Sequence, residues 1–406
     1  MGSRTTQVFQ RVRGSTLCQL ESCFGPWLPE NLFPKAPEKA NSRDRHYTCW
    51  RTFWCALWQS FNPGASGREV VRQLQALFRL EGGPELSQED GAYCRARGRL
   101  PLDPFPKALA ATAKCADQLA RKPEFLAGRP VKAADGSALT LLADTESNRT
   151  AYPVLAFLQT LGVDFIGRTT RRIDGRRRLR RQGHNDWLIE WKKGATPSPW
   201  LTLPQGRELP AIFTLRAVKG SLYQKGFRVR QVTVITTLLD AKVYPPEQIL
   251  LAYLRRWHLE MCLDDLKTTL QMDGLRSRSP EMAQKELYPR LIAHNLIRCT
   301  MAQASAEHDV PLDRISFKGS LDAVRQFSHA LARAKSKHKR AQLWNDLLRT
   351  LAADLVPERP GRREPRAVKR KKNRYPRLVG PRRQFRDHLK RHDRGKISRP
   401  RKAGLM

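Results

Sequence analysis

The stretch YLRRWHLEMCLDDLK, from Tyr253 to Lys267, is the part of the chain on which the interpretation of its fold depends most. At about 100° per residue, the side chains of Tyr253, Arg256, Glu260 and Lys267 fall within about 60° of one another on one helix face. A neighbouring apolar stripe consists of Leu259, Leu263, Leu266 and Leu270. We therefore predict a single amphipathic helix that buries its leucines and presents the four polar side chains at the surface.

Two interpretations of this polar face are open. An arginine and a glutamate four residues apart are common on solvated helices, where such a pair contributes only about 0.2–0.5 kcal/mol. The complete spacing of Tyr, Arg, Glu and Lys is more specific, because it fixes four positions at once. It resembles the YREK signature of the IS-four family of insertion-sequence transposases, which are DDE transposases. The resemblance implies that Glu260 is a catalytic metal ligand and that Tyr253, Arg256 and Lys267 contact DNA phosphates.

The charge of the chain indicates a polyanionic partner. Its 406 residues include 75 lysines and arginines against 38 acidic residues, a formal net charge of +37. Phosphate neutralisation by so many cations favours nucleic acid as the partner, with an anionic membrane surface as the second candidate. The hydrophobic content of 40% is enough for two or three domains with a packed core, which excludes a disordered chain.

Neither a membrane span nor a zinc site is expected. The sequence has no run of about 18 apolar residues, and its first residues include no apolar segment of signal-peptide length. The eight cysteines show no paired Cys/His spacing, so reduced thiols in the core are the default for a cytosolic protein. We therefore expect a cytoplasmic, nucleoid-associated protein.

A first catalytic carboxylate is expected at Asp135. A short apolar segment leads into Asp135 and Gly136, and another apolar run follows, which is typical of a strand that ends in a turn. An Asp-Gly pair alone indicates only the turn. The resemblance favours catalysis, because in relatives the first catalytic Asp lies in a short strand before Gly and Ser or Thr. The flanking family pattern is matched at Asp144, Thr145 and Asn148.

Asp135 and Glu260 are thus the candidate catalytic residues and metal ligands. Mg²⁺ or Mn²⁺ is the expected cofactor, because such ions accept oxygen ligands and two of them can stabilise a phosphodiester displacement. Relatives have a second catalytic Asp, and its segment has no counterpart here. Only 28 residues lie between Asp135 and Asp164, whereas the intervening elements need about 50. Asp164 is not expected to replace the second Asp, and we predict an internal deletion that impairs cleavage.

A strongly basic segment follows the predicted deletion. Arginine occupies eight of the fourteen positions in Arg168–Arg181. Blocks of this kind are often solvated, but in a chain this basic we favour contact with phosphates, without reading of base sequence. The candidate DNA-binding residues here are Arg171, Arg172, Arg176, Arg177 and Arg178.

The expected fold class is α+β or α/β. Apolar segments rich in β-branched residues predict strands at 187–191, 212–218 and 229–239. By resemblance these belong to a β-rich insertion, at about 168–242, within an incomplete ribonuclease H-like catalytic core. The expected organisation is an irregular segment (1–44), a helical N-terminal DNA-binding domain (45–125), the core (126–310), C-terminal helices (311–358) and a basic disordered tail (359–406). Residues 361–406 contain 19 lysines and arginines against three acids, which favours nonspecific DNA contact.

The resemblance implies a transposase of a cut-and-paste insertion sequence that binds element ends and catalyses metal-dependent strand cleavage and transfer, with this copy impaired. The expected partners are double-stranded DNA, both terminal inverted repeats and target, and a second copy of the chain in an end-paired complex. No membrane partner is expected. A noncatalytic DNA-binding remnant is the alternative. A basic RNA-binding protein is a third possibility, disfavoured because the sequence contains no RNA-recognition motif.

Overall fold

The computed structural model describes most of the chain up to residue 357. The chain divides into two units, Met1–Arg359 and Pro360–Met406, and every described residue lies in the first. The described residues are 19–29, 32–33, 46–80, 82, 85–119, 125–130, 158–159, 162–169, 173, 178–192, 210–222, 230–272, 274–275, 277, 279–334 and 336–357. The predicted basic tail therefore lies outside the described residues.

The described residues before 120 are mostly helical. Their helices are α1 (Gln19–Phe24), α2 (Cys49–Phe61), α3 (Gly67–Leu80), α4 (Gly91–Arg99) and α5 (Pro104–Leu119), with a 3₁₀ turn at Gly25–Trp27. Thr48 caps α2 by accepting a hydrogen bond from the Arg51 amide at 3.2 Å, which satisfies a backbone donor that the first turn leaves unpaired. The α1 helix lies within residues 1–44, which were expected to be irregular or to contain a short helix followed by a linker, and its Leu20 and Phe24 are buried.

Aromatic side chains join α1, α2 and α5 in one core cluster, while α3 and α4 pack in a second cluster with Cys55 of α2. The Phe53 ring lies 5.4 Å from that of Phe33 and 5.7 Å from that of Phe105. The Phe24 ring stacks on Phe61 at 5.5 Å. Trp54 of α2 packs in the same cluster and is 1% exposed.

Five strands form an antiparallel sheet in the order β3-β7-β6-β5-β4. They are β3 (Ile166–Thr169), β4 (Arg178–Gly183), β5 (Asp186–Lys192), β6 (Ile212–Leu222) and β7 (Arg230–Thr236), after a small hairpin of β1 (Phe125–Leu126) and β2 (Arg129–Pro130). The three predicted strands are confirmed as β5, β6 and β7. Successive side chains of a strand point to opposite faces of a sheet. Ala217 and Ile235 belong to one core cluster and their neighbours Val218 and Val234 to another, so side chains are buried on both faces of this sheet.

A buried ion pair fastens this sheet to the loop that precedes the signature segment, Tyr253–Lys267. The Arg216 guanidinium donates two hydrogen bonds to the Asp186 carboxylate, from Nε at 2.9 Å and from Nη2 at 2.6 Å. Its Nη1 also donates to the Tyr244 carbonyl at 2.6 Å. The two side chains are 0% and 1% exposed. The loop that precedes the signature segment is therefore held by Arg216 of β6.

The signature segment is not one continuous helix, and that prediction is wrong at two points. The structure has α6 (Pro246–Leu254), a turn at Arg255, α7 (Arg256–Asp264) and then a π-helical turn, Asp265–Thr269, which we call the π segment. In the π segment the Leu270 amide donates to the Asp265 carbonyl at 2.9 Å, five residues back. A π turn closes its hydrogen bond over five residues, whereas an α-helical turn uses four. A uniform angle of about 100° per residue therefore does not describe this part of the segment.

The apolar stripe packs as predicted in the second half of the signature segment. Leu266 and Leu270 are 7% and 1% exposed, and Leu263 is half-buried against the same core cluster. This cluster also contains Phe53 of α2 and residues of three C-terminal helices. The signature segment is therefore fixed to a helical core that includes both early and late parts of the described chain.

The C-terminal helices are α8 (Pro280–His308), α9 (Phe317–Arg333) and α10 (Lys337–Ala353). C-terminal helices were expected in 311–358, and α9 and α10 lie in that range. None of the helices in the described ranges combines the length and apolarity that crossing a membrane requires.

Replacement of the α9 cap, Ser316→Ala, is expected to lower the free energy of unfolding by about 1 kcal/mol. The Ser316 hydroxyl accepts a hydrogen bond from the Gly319 amide at 3.0 Å, and alanine leaves this donor without its partner. Urea unfolding followed by circular dichroism measures the change. Ser316→Asn is the control, because asparagine can cap the same amide, and an equal loss in both variants would contradict a capping role.

Candidate active site

Three of the four signature side chains contact one another across the junction between α6 and α7. An Arg256 Nη2 lies 2.6 Å from Glu260 Oε1. The Arg256 guanidinium carbon lies 5.6 Å from the centroid of the Tyr253 ring, within the range of a cation–π interaction. The Arg256 and Glu260 side chains are 32% and 36% exposed, so the cluster lies at the surface, where it is accessible to a ligand.

The electrostatics of this cluster keep Arg256 charged. Burial alone would lower the pKa of Arg256, but its hydrogen bonds to Glu260 and Tyr253 raise that pKa above the ordinary value. A guanidinium is a planar fork of donors that suits carboxylate and phosphate oxygens alike. Glu260 and an incoming phosphate can therefore use the same guanidinium in turn.

Lys267 lies further along, in the π segment, and is half-buried. Its placement relative to Glu260 depends on how the intervening residues turn, since the π segment changes the angle per residue. The described contacts thus bring Tyr253, Arg256 and Glu260 together, and place Lys267 in an element whose geometry the sequence did not predict.

Of the two expected metal ligands, Glu260 lies within the described residues and Asp135 does not. Asp135 lies outside the described residues, as do the flanking matches Asp144, Thr145 and Asn148. Glu260 is compatible with Mg²⁺ or Mn²⁺, because its half-exposed carboxylate supplies the oxygen donors that these ions accept. Within the described residues, no group of three or more His, Cys, Asp or Glu side chains is arranged to hold a metal ion.

Asp164 is bonded to the sheet. Its Oδ1 accepts a hydrogen bond from the Thr237 hydroxyl at 2.7 Å, and the same hydroxyl accepts one from the Phe165 amide at 2.9 Å. These bonds join the segment before β3 to the residue after β7. A structural function for Asp164 is consistent with the prediction that it does not replace the second catalytic Asp.

The described part of the basic segment forms the edge of the sheet. Arg178, the first residue of β4, lies with its guanidinium carbon 4.4 Å from the centroid of the Trp187 ring on β5. Arg178 and its neighbours Arg180 and Arg181 are exposed. Charged residues on an edge strand prevent edge-to-edge association, and they are also available to phosphates. The other four candidates, Arg171, Arg172, Arg176 and Arg177, lie outside the described residues.

An ion pair beside the π segment was not predicted. An Arg298 Nη2 on α8 lies 2.6 Å from Asp265 Oδ2. Burial raises the pKa of Asp265 to about 6, Arg298 opposes this rise, and the neighbouring Asp264 adds to it. The two partners lie 33 residues apart in the sequence, and no local pattern indicated their contact.

His294 is expected to make the protein less stable as the pH falls below about 6.5. Burial, with a smaller effect of the positively charged Arg298, lowers the pKa of His294 to about 3. The unfolded chain binds this proton near pH 6.5 and the folded chain does not, so the free energy of unfolding decreases by up to about 1.4 kcal/mol per pH unit. His294→Gln is expected to remove this part of the pH dependence of stability, because glutamine does not titrate.

Urea unfolding at pH 7 and pH 5 gives the change in the free energy of unfolding per pH unit. The effect of His294 is the difference in this change between the wild type and His294→Gln. The exposed His338 gives the matched control, His338→Gln. Identical pH dependence of the wild type and His294→Gln would contradict the prediction.

The comparison with known proteins defines the class of the region that carries this site. Residues 136–296 match the model of a family described as the Transposase DDE domain. This range contains the five-stranded sheet, the whole signature segment and Asn295, and it begins one residue after Asp135. The match supports a DDE transposase domain in this chain.

Curated proteins to which this chain is similar include transposases of insertion sequences. The chain is 29% identical over 208 residues to the transposase InsG for insertion sequence element IS4 of Escherichia coli (strain K12), which is 48% of this chain and 47% of that protein. It is 34% identical over 64 residues to the transposase for insertion sequence element IS421 of Escherichia coli, 16% of this chain and 17% of that protein. The chain therefore spans about half of the first relative and about a sixth of the second. No solved structure matches.

Proposed function

We propose that this chain is a DNA-binding transposase of a cut-and-paste insertion sequence in which strand cleavage is impaired by loss of the second catalytic Asp. The observation that carries the proposal is the contact among Tyr253, Arg256 and Glu260 inside the region that matches a DDE transposase domain. Phosphodiester chemistry requires side chains that donate hydrogen bonds to phosphate and a carboxylate that binds a metal ion, and both lie at this accessible surface. The formal charge of +37 supports DNA as the partner.

Each residue has a distinct function in this proposal. Arg256 binds a phosphate of the element end through its planar fork, and the Tyr253 ring holds the guanidinium in place. Glu260 holds a divalent ion together with Asp135, and the ions supply stabilisation of the attacking and leaving oxygens when bound. Lys267 contributes a point charge to a neighbouring phosphate.

The resemblance to the IS-four family implies four further features. Tyr253, Arg256, Glu260 and Lys267 act as a YREK signature, and the five-stranded sheet belongs to an insertion in a ribonuclease H-like core. An internal deletion has removed the second catalytic Asp, and two protomers pair on the element ends. The five basic residues from Arg171 to Arg178 then position the duplex without reading its sequence. A place on the nucleoid in the cytoplasm follows from DNA as the substrate.

Glu260→Gln is expected to reduce strand nicking by about 100-fold or more, because a neutral amide lowers the affinity of the site for a divalent ion. Nicking of duplex DNA that carries the element ends is measured with Mg²⁺ and with Mn²⁺. Glu247→Gln is the matched control, since Glu247 is an exposed acid in the first turn of α6. Nicking that survives Glu260→Gln unchanged would contradict a metal-binding function for this carboxylate.

A noncatalytic DNA-binding remnant is the second candidate function. It is favoured by the short distance in sequence between Asp135 and Asp164, which leaves no segment for the second acid. Binding to element ends that resists competitor DNA, without nicking in either metal ion, supports this alternative. Equal binding to unrelated RNA at matched salt would favour an RNA-binding protein over both.

A further inference from the structure

Besides the buried Leu266, the π segment is bonded to α8 through the guanidinium of Arg298. Arg298 of α8 lies 2.6 Å from the Asp265 carboxylate, and the same Nη2 lies 3.4 Å from Cys262 Sγ of α7. Its guanidinium carbon lies 5.4 Å from the centroid of the Phe317 ring at the start of α9. Three elements, α7 with the π segment, α8 and α9, therefore meet at Arg298.

This ion pair is shielded from solvent. The Arg298 and Asp265 side chains are 22% and 19% exposed, and the Arg298 Nε is buried without a hydrogen-bond partner in the described residues. Burial of two charges offsets much of their attraction, so such a pair contributes little net stability. It does restrict geometry, because moving either partner leaves an uncompensated charge in a half-buried position.

The geometry that it restricts is that of the π segment, which begins five residues after Glu260 and includes Lys267. Asp265 is the first residue of the π segment, and its carbonyl accepts the five-residue hydrogen bond from Leu270. If this turn relaxed to an ordinary α-helix, the residues after it would shift by one position, about 100° and 1.5 Å. Lys267 lies inside the π segment, so a return to α-helical spacing would also change the angle at which its side chain projects relative to Glu260.

We propose that Asp265 and Arg298 form a positioning pair that holds the π segment in register, and thereby fixes Lys267 relative to Glu260 and Arg256 for binding DNA. The inference rests on the proposed function for its DNA ligand, but the pair, the π turn and their contacts are features of the described structure. Asp265 and Arg298 act through Lys267 and do not themselves contact DNA.

A double-mutant cycle on DNA affinity tests the proposal. Asp265→Asn is expected to weaken binding of end-bearing duplex DNA by about 10-fold. In a Lys267→Ala background the same substitution is expected to have little further effect, because the residue that it positions is already absent. Arg298→Lys retains the charge and is expected to restore part of the affinity that Arg298→Gln loses.

The controls separate a positioning function from a structural one. Asp322→Asn removes an exposed ion pair with Arg325 on α9 and is expected to leave affinity unchanged. Additive losses of affinity in the cycle, or a loss that follows the melting temperature of each variant and not Lys267, would overturn the inference. A different result would contradict the proposed function itself. In that case the wild-type protein would bind end-bearing DNA and RNA with equal affinity at the same salt.

Discussion

Arg216→Met is expected to lower the free energy of unfolding by about 3–5 kcal/mol, since breaking a buried ion pair leaves its partner uncompensated. Asp186 is 1% exposed and receives two hydrogen bonds from Arg216. The same substitution removes the donor to the Tyr244 carbonyl. The loop before α6 then loses its attachment to the sheet, so the signature segment is destabilised together with β5 and β6.

Denaturant unfolding followed by tryptophan fluorescence measures this loss, because Trp187 and Trp191 lie on β5 beside the pair. Arg180→Met is the matched control on the exposed edge strand and is expected to change stability by less than about 0.5 kcal/mol. The double variant Arg216→Met/Asp186→Leu is expected to be more stable than Arg216→Met, because no buried charge remains. Equal effects of Arg216→Met and Arg180→Met would show that the pair is not important for the fold.

Binding of duplex DNA is expected to weaken by about 10³–10⁵-fold between about 50 and 200 mM salt, the range for proteins that neutralise about six to ten phosphates. The physical reason is the release of condensed counterions by a chain with 75 lysines and arginines. Fluorescence anisotropy with labelled duplex, over a salt series, measures the slope of log K against log salt.

Single substitutions locate the cations responsible for this slope. Arg256→Gln and Arg178→Gln are each expected to reduce it by about one, the effect of one lost phosphate contact. Glu247→Gln, which removes no cation, is expected to leave the slope unchanged or to increase affinity slightly. A wild-type affinity that does not change with salt would contradict the binding of DNA through phosphates.

The sequence allowed prediction of the elements whose signal is local. The alternation of β5, the β-branched run of β7 and the leucines of α7 and the π segment each depend on near neighbours in the chain, and the structure has strands and a buried stripe at those positions. The candidate site could be predicted in part, because Tyr253, Arg256 and Glu260 are within one or two helical turns of one another. The metal-binding function of Asp135 stays a prediction.

The sequence by itself determined the strands β5, β6 and β7 and the buried leucines of the signature segment, while the polyanionic partner indicated by the charge stays a prediction. The tertiary structure decided where that signature segment breaks and where it becomes π-helical, because Arg298 and the shared helical core act on it from outside. It also decided the pairing of Arg216 with Asp186 across 30 residues of sequence. Such partners are selected by packing among distant segments, and a local periodicity contains no information about them.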